Sequence, residues 1–130
     1  MELNKDFLER LLAQAADSPR LRQNYDLRTS PADTSQRMLN ALLPGTEVPV
    51  HRHEETTETV ICLCGRLDEV IYEAQVAGDG ETTFRETQRI RLCPACGQHG
   101  CQVPKGAWHT VEVLEPSIIF EAKDGAYKRP

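Results

Sequence analysis

The chain has 130 residues, the length of one domain with one hydrophobic core, and it is 39% hydrophobic and 27% charged, which excludes global disorder. Acids outnumber bases 20 to 15, for a net charge of -5. That balance argues against a nucleic-acid binder or a protein of anionic membranes, although a local basic pocket could still form.

No apolar run reaches the ~18 residues that span a bilayer, and Met1 to Asp6 lack the apolar core of a signal peptide. The expected location is therefore the cytoplasm, with no membrane partner. Five cysteines are then expected as reduced thiols or metal ligands rather than disulfides, and an odd count leaves one unpaired in any intramolecular scheme.

Residues 4–16 read as an amphipathic helix. Asn4 can cap it, Phe7, Leu8, Leu11, Leu12 and Ala15 recur on one face, and Ser18-Pro19 ends it. Residues 17–35 are polar and rich in turn formers, with Asn24 to Arg28 able to form a short strand against the rest. From Gln36 the helical period disappears. Short β-like runs follow at 36–43, 48–53, 58–64, 67–73, 83–92, 100–103, 108–114 and 117–122, separated by Pro/Gly turn signals. Many short strands at this spacing predict an all-β sandwich or barrel. The expected layout is residues 1–35 as a helix and connecting segment packed on a barrel of residues 36–130, one domain overall.

The chemistry concentrates in Val48-Pro49-Val50-His51-Arg52-His53. On a strand, positions i and i+2 share a face, so His51 and His53 point the same way and can chelate one ion. Glu58 opens the next run after a polar bend and can face the pair, as could Glu54, Glu55 or Glu73 by spacing alone. His109 follows the turn Pro104-Lys105-Gly106, and a closed barrel can bring it beside the pair. Each feature alone has an ordinary reading as a surface or core residue; the spacing taken together carries the inference.

Gly45, five residues, His51-x-His53, four residues, Glu58, six residues and Gly65 resemble the first motif of the cupin superfamily. Pro104-x-Gly106, two residues and His109 resemble the second. The glycine that usually opens the second motif is missing from its expected place, where Gln98 stands beside Gly97, and Val113 replaces the usual closing Asn. The resemblance implies an all-β cupin, a double-stranded β-helix or jelly-roll barrel, here with an N-terminal α-helix. It also implies one divalent metal held by His51, His53, His109 and Glu58. Such a donor set suits Fe, Mn, Ni, Co or Zn and leaves positions open for water or substrate.

More narrowly, Gln36 to Leu42 leading into Pro44-Gly45, His51-Arg52-His53, Pro104 to Thr110 and Phe120 to Tyr127 are similar to the WbuC family of cupin-fold metalloproteins. That similarity implies a link to bacterial surface-polysaccharide (O-antigen) biosynthesis and a small-molecule ligand such as a sugar derivative, without a settled reaction. Three functions follow as expectations: a metal-dependent sugar isomerase or epimerase, an Fe(II)-dependent dioxygenase of a small organic acid or thiol, and a non-catalytic metal-dependent sugar-binding or accessory protein.

Strand parity predicts that Val60, Cys62, Cys64, Val111 and Val113 face inward. Thr59, Ile61 and Leu63 then face outward, where a homodimer partner or the N-terminal helix would cover them. Arg37 and Asn40 fall on opposite faces, and Arg37 is the expected contact for an anionic substrate group. Tyr25 and Trp108 are candidates for stacking on a ligand. Cys93, Cys96, His99 and Cys101 form a compact group of soft donors that could bind a second metal, cycle as a dithiol or remain free thiols in a loop.

Overall fold

The computed structural model describes residues 1–125; Ala126 and Tyr127 of the WbuC-like ending lie outside the described residues. A helix, α1 (Lys5–Asp17), precedes six strands: β1 (Arg22–Asp26), β2 (Ser35–Leu42), β3 (Glu58–Val76), β4 (Thr82–Leu92), β5 (Gly100–Val103) and β6 (Trp108–Asp124). Asn4 caps α1, its Oδ1 accepting from the Phe7 N–H at 2.9 Å, because the first helical amides have no partner within the helix.

Every pairing is antiparallel, in the order β1-β2-β6-β3-β4, with β5 added to β3. The long strands β3 and β6 run through both halves of the barrel. The first half of β3 pairs with Ile119–Ala122 of β6 and with β5. Its second half pairs with Trp108–Val113 of β6 and with β4. Register breaks between Cys62 and Leu67 turn the strand from one half to the other, and Gly65 sits there at φ +96°, a conformation costly for other residues.

Side chains from five strands then meet inside. Leu42, Val60, Cys62, Leu67, Leu92, Val103 and Ile119 form one buried cluster. A second cluster lies outside the sheet, where Leu11 and Ala15 of α1 pack on Leu39, Ala41 and Ile118. Phe7, Leu8 and Leu12 complete that contact, so the apolar helix face covers β2 and β6.

Several sequence expectations change in detail. The runs 58–64 and 67–73 are one strand, as are 108–114 and 117–122, because the bulges bend the ladder without ending it. Residues 48–53 form no strand; only His51 makes an isolated bridge, with His109. The short strand near Asn24 runs from Arg22 to Asp26. The bulge after Cys62 also breaks the expected parity, so Cys64 packs against the helix-side cluster instead of the interior. The helix does not cover Ile61 and Leu63, which stay 37% and 38% exposed.

Candidate metal centre and its cavity

The barrel opens on a cavity of about 870 Å³. Its wall includes the inward residues of β2 (Gln36, Met38, Asn40, Leu42), the loop carrying His51 and His53, Glu58 and Glu69 of β3, and Trp108, His109, Glu121 and Lys123 of β6.

The three histidines meet here. His51 and His109 are tied by two backbone hydrogen bonds, His51 N–H to His109 O at 3.0 Å and the reverse at 2.8 Å. His53 is placed by the second-motif turn, whose Gly106 N–H donates to the His53 carbonyl at 2.7 Å. Ring centroids lie 4.2 Å apart for His51 and His109, 5.3 Å for His51 and His53, and 5.5 Å for His53 and His109. One ring nitrogen from each comes within 4.8 Å of the others.

The tautomers follow from the neighbours. The Nδ1 of His51 is 2.8 Å from Pro49 O, and that of His109 is 2.9 Å from Ala107 O. A carbonyl only accepts, so each Nδ1 carries the proton and each Nε2 keeps its lone pair. His109 Nε2 is buried and has no hydrogen-bond partner among the described residues. A buried acceptor without a partner is costly, and a cation would satisfy it. Backbone carbonyls that fix ring tautomers are the usual outer support of a metal-binding imidazole. The residues present therefore fit a divalent metal ion.

Burial disfavours the charged form of all three rings. It lowers the pKa of His51 and His53 and takes His109 to about 4, so the imidazoles are neutral and basic at pH 7. Glu58 is 3% exposed, and its Oε2 lies 3.2 Å from His53 Nε2, in position to share an ion with it.

Two more carboxyls project from the same wall. Glu121 hydrogen-bonds to Asn40 and to Glu58, and Glu69 is 1% exposed. Burial, followed by the charge of Glu58, raises Glu121 to about 8, so it holds the proton of the Glu58–Glu121 pair. Burial also raises Glu58, and it raises Glu69 well above the carboxylate range with help from the charges of Glu121 and Glu58. Lys123 supplies positive charge, its Nζ lying 3.1 Å from His53 Nδ1.

The remaining candidates separate. Arg37 faces away from the cavity and pairs with Asp33 at 2.9 Å, while Asn40 takes the inward position. Tyr25 also lies elsewhere, its ring edge-on to Phe7 of α1 at 5.2 Å. Trp108 lines the cavity, with the Arg52 guanidinium 4.6 Å above its ring and Phe84 5.1 Å away. Cys93 and Cys96 touch at 2.9 Å between sulfurs. Cys101 packs against the interior cluster instead, and burial pushes its thiol up to about 12. His99 is exposed and gives its backbone carbonyl to Cys62 N–H at 2.8 Å. Among the described residues the histidine trio is the cluster of three or more donors able to hold an ion.

Sequence reasoning missed Glu69, Glu121, Lys123 and Asn40 as cavity groups. A signal existed in β6: Ile119, Glu121 and Lys123 alternate with Ile118, Phe120 and Ala122, so two charged residues share the inward face.

No helix among the described residues is long and apolar enough to cross a membrane. No curated protein is significantly similar to this chain in sequence. Among solved structures, KdgF from Halomonas sp. superposes with a TM-score of 0.57 at 18% identity, over 85% of this chain and 84% of that one. A cupin 2 domain-containing protein from Halorhodospira halophila gives 0.60 at 19% identity, over 84% and 68%. The ribosomal oxygenase YcfD from Escherichia coli gives 0.56 at 20% identity, over 72% of this chain but 23% of that chain. These likenesses establish the fold. A family model described as Domain of unknown function (DUF6016) matches residues 3–84. The chain thus belongs to the DUF6016 family and has the all-β cupin fold with an N-terminal helix.

Proposed function

We propose that this chain is a metal-dependent enzyme that moves a proton on a small, oxygen-rich molecule, most simply a sugar derivative undergoing isomerisation or epimerisation. The observation that carries the proposal is the meeting of three neutral imidazoles and three buried or enclosed carboxyls in one cavity of about 870 Å³.

His51, His53 and His109 would hold the metal through ring nitrogens, with Glu58 as the fourth donor. A bound divalent ion supplies Lewis acidity that polarises a carbonyl or hydroxyl oxygen. The protein supplies the proton chemistry. Glu121 holds a proton near neutral pH, and Glu69, raised as well, lines the same wall, so two acids face one space and either becomes a base once it has given up its proton. Asn40 orients the Glu121 carboxyl. Trp108, backed by Arg52, offers an apolar ring face to a sugar. The similarity to WbuC chains supports a sugar derivative of surface-polysaccharide synthesis as the substrate. The buried acids favour proton transfer over oxygen chemistry, which needs no such group.

The test begins with elemental analysis of the purified protein beside a His51→Ala/His109→Ala variant. About one equivalent of a transition metal in the wild type, lost in the variant, is expected for a single site. Metal retained in the variant overturns the site. Solvent deuterium incorporated into candidate sugars, and reduced by Glu121→Gln, supports the proton-transfer reading. Oxygen uptake without exchange would instead select the dioxygenase reading. Sugar binding without conversion would select the binding protein.

A further inference from the structure

A second site lies at the end of β4, outside the cavity. Cys93 is 2% exposed, Cys96 is exposed, and their sulfurs are 2.9 Å apart. The intervening turn is a single 3₁₀ element, Pro94–Cys96. It is closed by hydrogen bonds from Cys96 N–H to Cys93 O at 2.9 Å and from Gly97 N–H to Pro94 O at 3.0 Å. Gly97 is left-handed at φ +79°, and a Cys93–Gln98 bridge seals the base of the loop. The backbone therefore holds the two sulfurs together without a bond between them.

Arg66, from the bulged bend of β3, supplies the charge. Its guanidinium lies 3.8 Å from Cys96 Sγ, and its Nε is buried with no hydrogen-bond partner among the described residues. An unsatisfied cationic donor beside two thiols is an invitation to a thiolate. The Cys96 thiol's hydrogen bond and then Arg66 hold Cys93 below the usual thiol range, while Cys96 is raised. The other thiols differ: burial lifts Cys62 to about 11 and Cys101 to about 12. A structural zinc ion would need further donors, and none joins this pair among the described residues.

We propose that Cys93 and Cys96 are a reversible dithiol/disulfide pair that exchanges with small-molecule disulfides, with Cys96 as the entering thiol and Cys93 as the resolving thiol. The exposed Cys96 meets the oxidant first. Its proton passes to solvent, and the Cys96 thiolate, with the Arg66 guanidinium 3.8 Å away, attacks one sulfur of RSSR, releasing RS⁻. Cys93 then gives its proton to solvent and attacks Cys96 Sγ, closing the internal disulfide and releasing a second RS⁻. Two protein thiols are oxidised, one disulfide is reduced, and both protons end on RSH. This site is independent of the metal reading.

The test equilibrates reduced protein in glutathione buffers of rising oxidised fraction, blocks free thiols with N-ethylmaleimide and reads intact and peptide masses. The wild type is expected to lose two of its five reactive thiols and to give a peptide closed between Cys93 and Cys96. Cys93→Ser should stop at a glutathione adduct on Cys96. The exposed Cys96→Ser, which leaves the interior intact, should form neither adduct nor disulfide at this loop. Arg66→Gln should slow ring closure about 3- to 10-fold, so that the mixed disulfide accumulates. Five alkylated thiols in oxidising buffer, or a zinc equivalent that persists in the His51→Ala/His109→Ala protein and disappears with Cys96→Ser, would overturn the proposal.

Discussion

Gly65→Ala tests the barrel's construction most directly. Gly65 stands at φ +96° where β3 crosses between halves, and an added Cβ would overlap Pro116 O and Ser117 Oγ and lie 2.6 Å from Ser117 Cα. Ordinary carbon contacts are about 3.5–4.0 Å, so β6 must retreat by about 1 Å. The left-handed backbone alone costs an alanine about 1–2 kcal/mol. The retreat also strikes a fully buried anchor, since Ser117 Oγ accepts from Arg66 N–H at 3.0 Å and donates to Glu115 O at 2.7 Å. Leaving one such buried amide unpaired adds about 1–3 kcal/mol. The expected total is about 3–4 kcal/mol, a large share of the 5–15 kcal/mol that holds a typical domain together. Urea unfolding followed by far-UV circular dichroism measures it directly. A Gly65→Ala/Ser117→Gly double variant should recover less than half, because Pro116 O is backbone and stays. A loss below about 1 kcal/mol would refute the reasoning, since backbone strain alone exceeds that.

From His109 and Glu121, the metal-free chain should be most stable between about pH 4.5 and 6.5, where opposing titrations cancel. His109 falls from 6.5 to about 4 on folding, so the unfolded chain binds more protons between those values and stability drops as pH falls through them, by about 3 kcal/mol from this group. Glu121 rises from 4.5 to about 8, so the folded chain holds the extra proton and stability drops as pH rises through that window. Urea midpoints at about pH 4, 5.5 and 8.5 check both limbs; Glu121→Gln should flatten only the alkaline one, and an unchanged alkaline limb would place the charge elsewhere. The expected homodimer rests on the uncovered Ile61 and Leu63. Light scattering should give twice the chain mass, falling to the monomer with Ile61→Asp, whereas a monomeric wild type removes the expectation.

The helix was legible in detail because its cap and apolar period are local signals, and the register of Asn4, Leu11 and Ala15 follows from them. The histidines were legible through motif spacing, yet the strand argument for His51 and His53 does not describe how they meet. That loop is held by single contacts to β6 and to Gly106, and a loop has no period to read. Choosing Arg37 over Asn40 failed for a different reason. β2 is apolar on both faces, Leu39 and Ala41 toward the helix and Met38 and Leu42 toward the interior, so alternation could not say which side was inward. Cys64 was misplaced by one bulge, since a single extra residue reverses every later side chain. Glu121 joins Glu58 and Glu69 only through the β3–β6 register, which sets Glu121 opposite Val60, 61 positions earlier.

The two halves of the site are held by different means. Pro49 and Ala107 carbonyls orient His51 and His109, and these backbone contacts do not depend on protonation of the acids. The carboxyls are held largely by one another and by Asn40, with Lys123 as the cation on the same wall. Burial raises all three carboxyls, and the charges of neighbouring carboxylates add to it at Glu69 and Glu121, so the group favours retained protons. A divalent cation at the histidines would reverse that balance by favouring the charged carboxylates. Metal loading should therefore draw the upper end of the alkaline limb of the stability profile to lower pH or abolish the limb. An alkaline limb that stays in place on loading would mean that the carboxyls do not sense the ion, and the acid–base role proposed for them would fail with it.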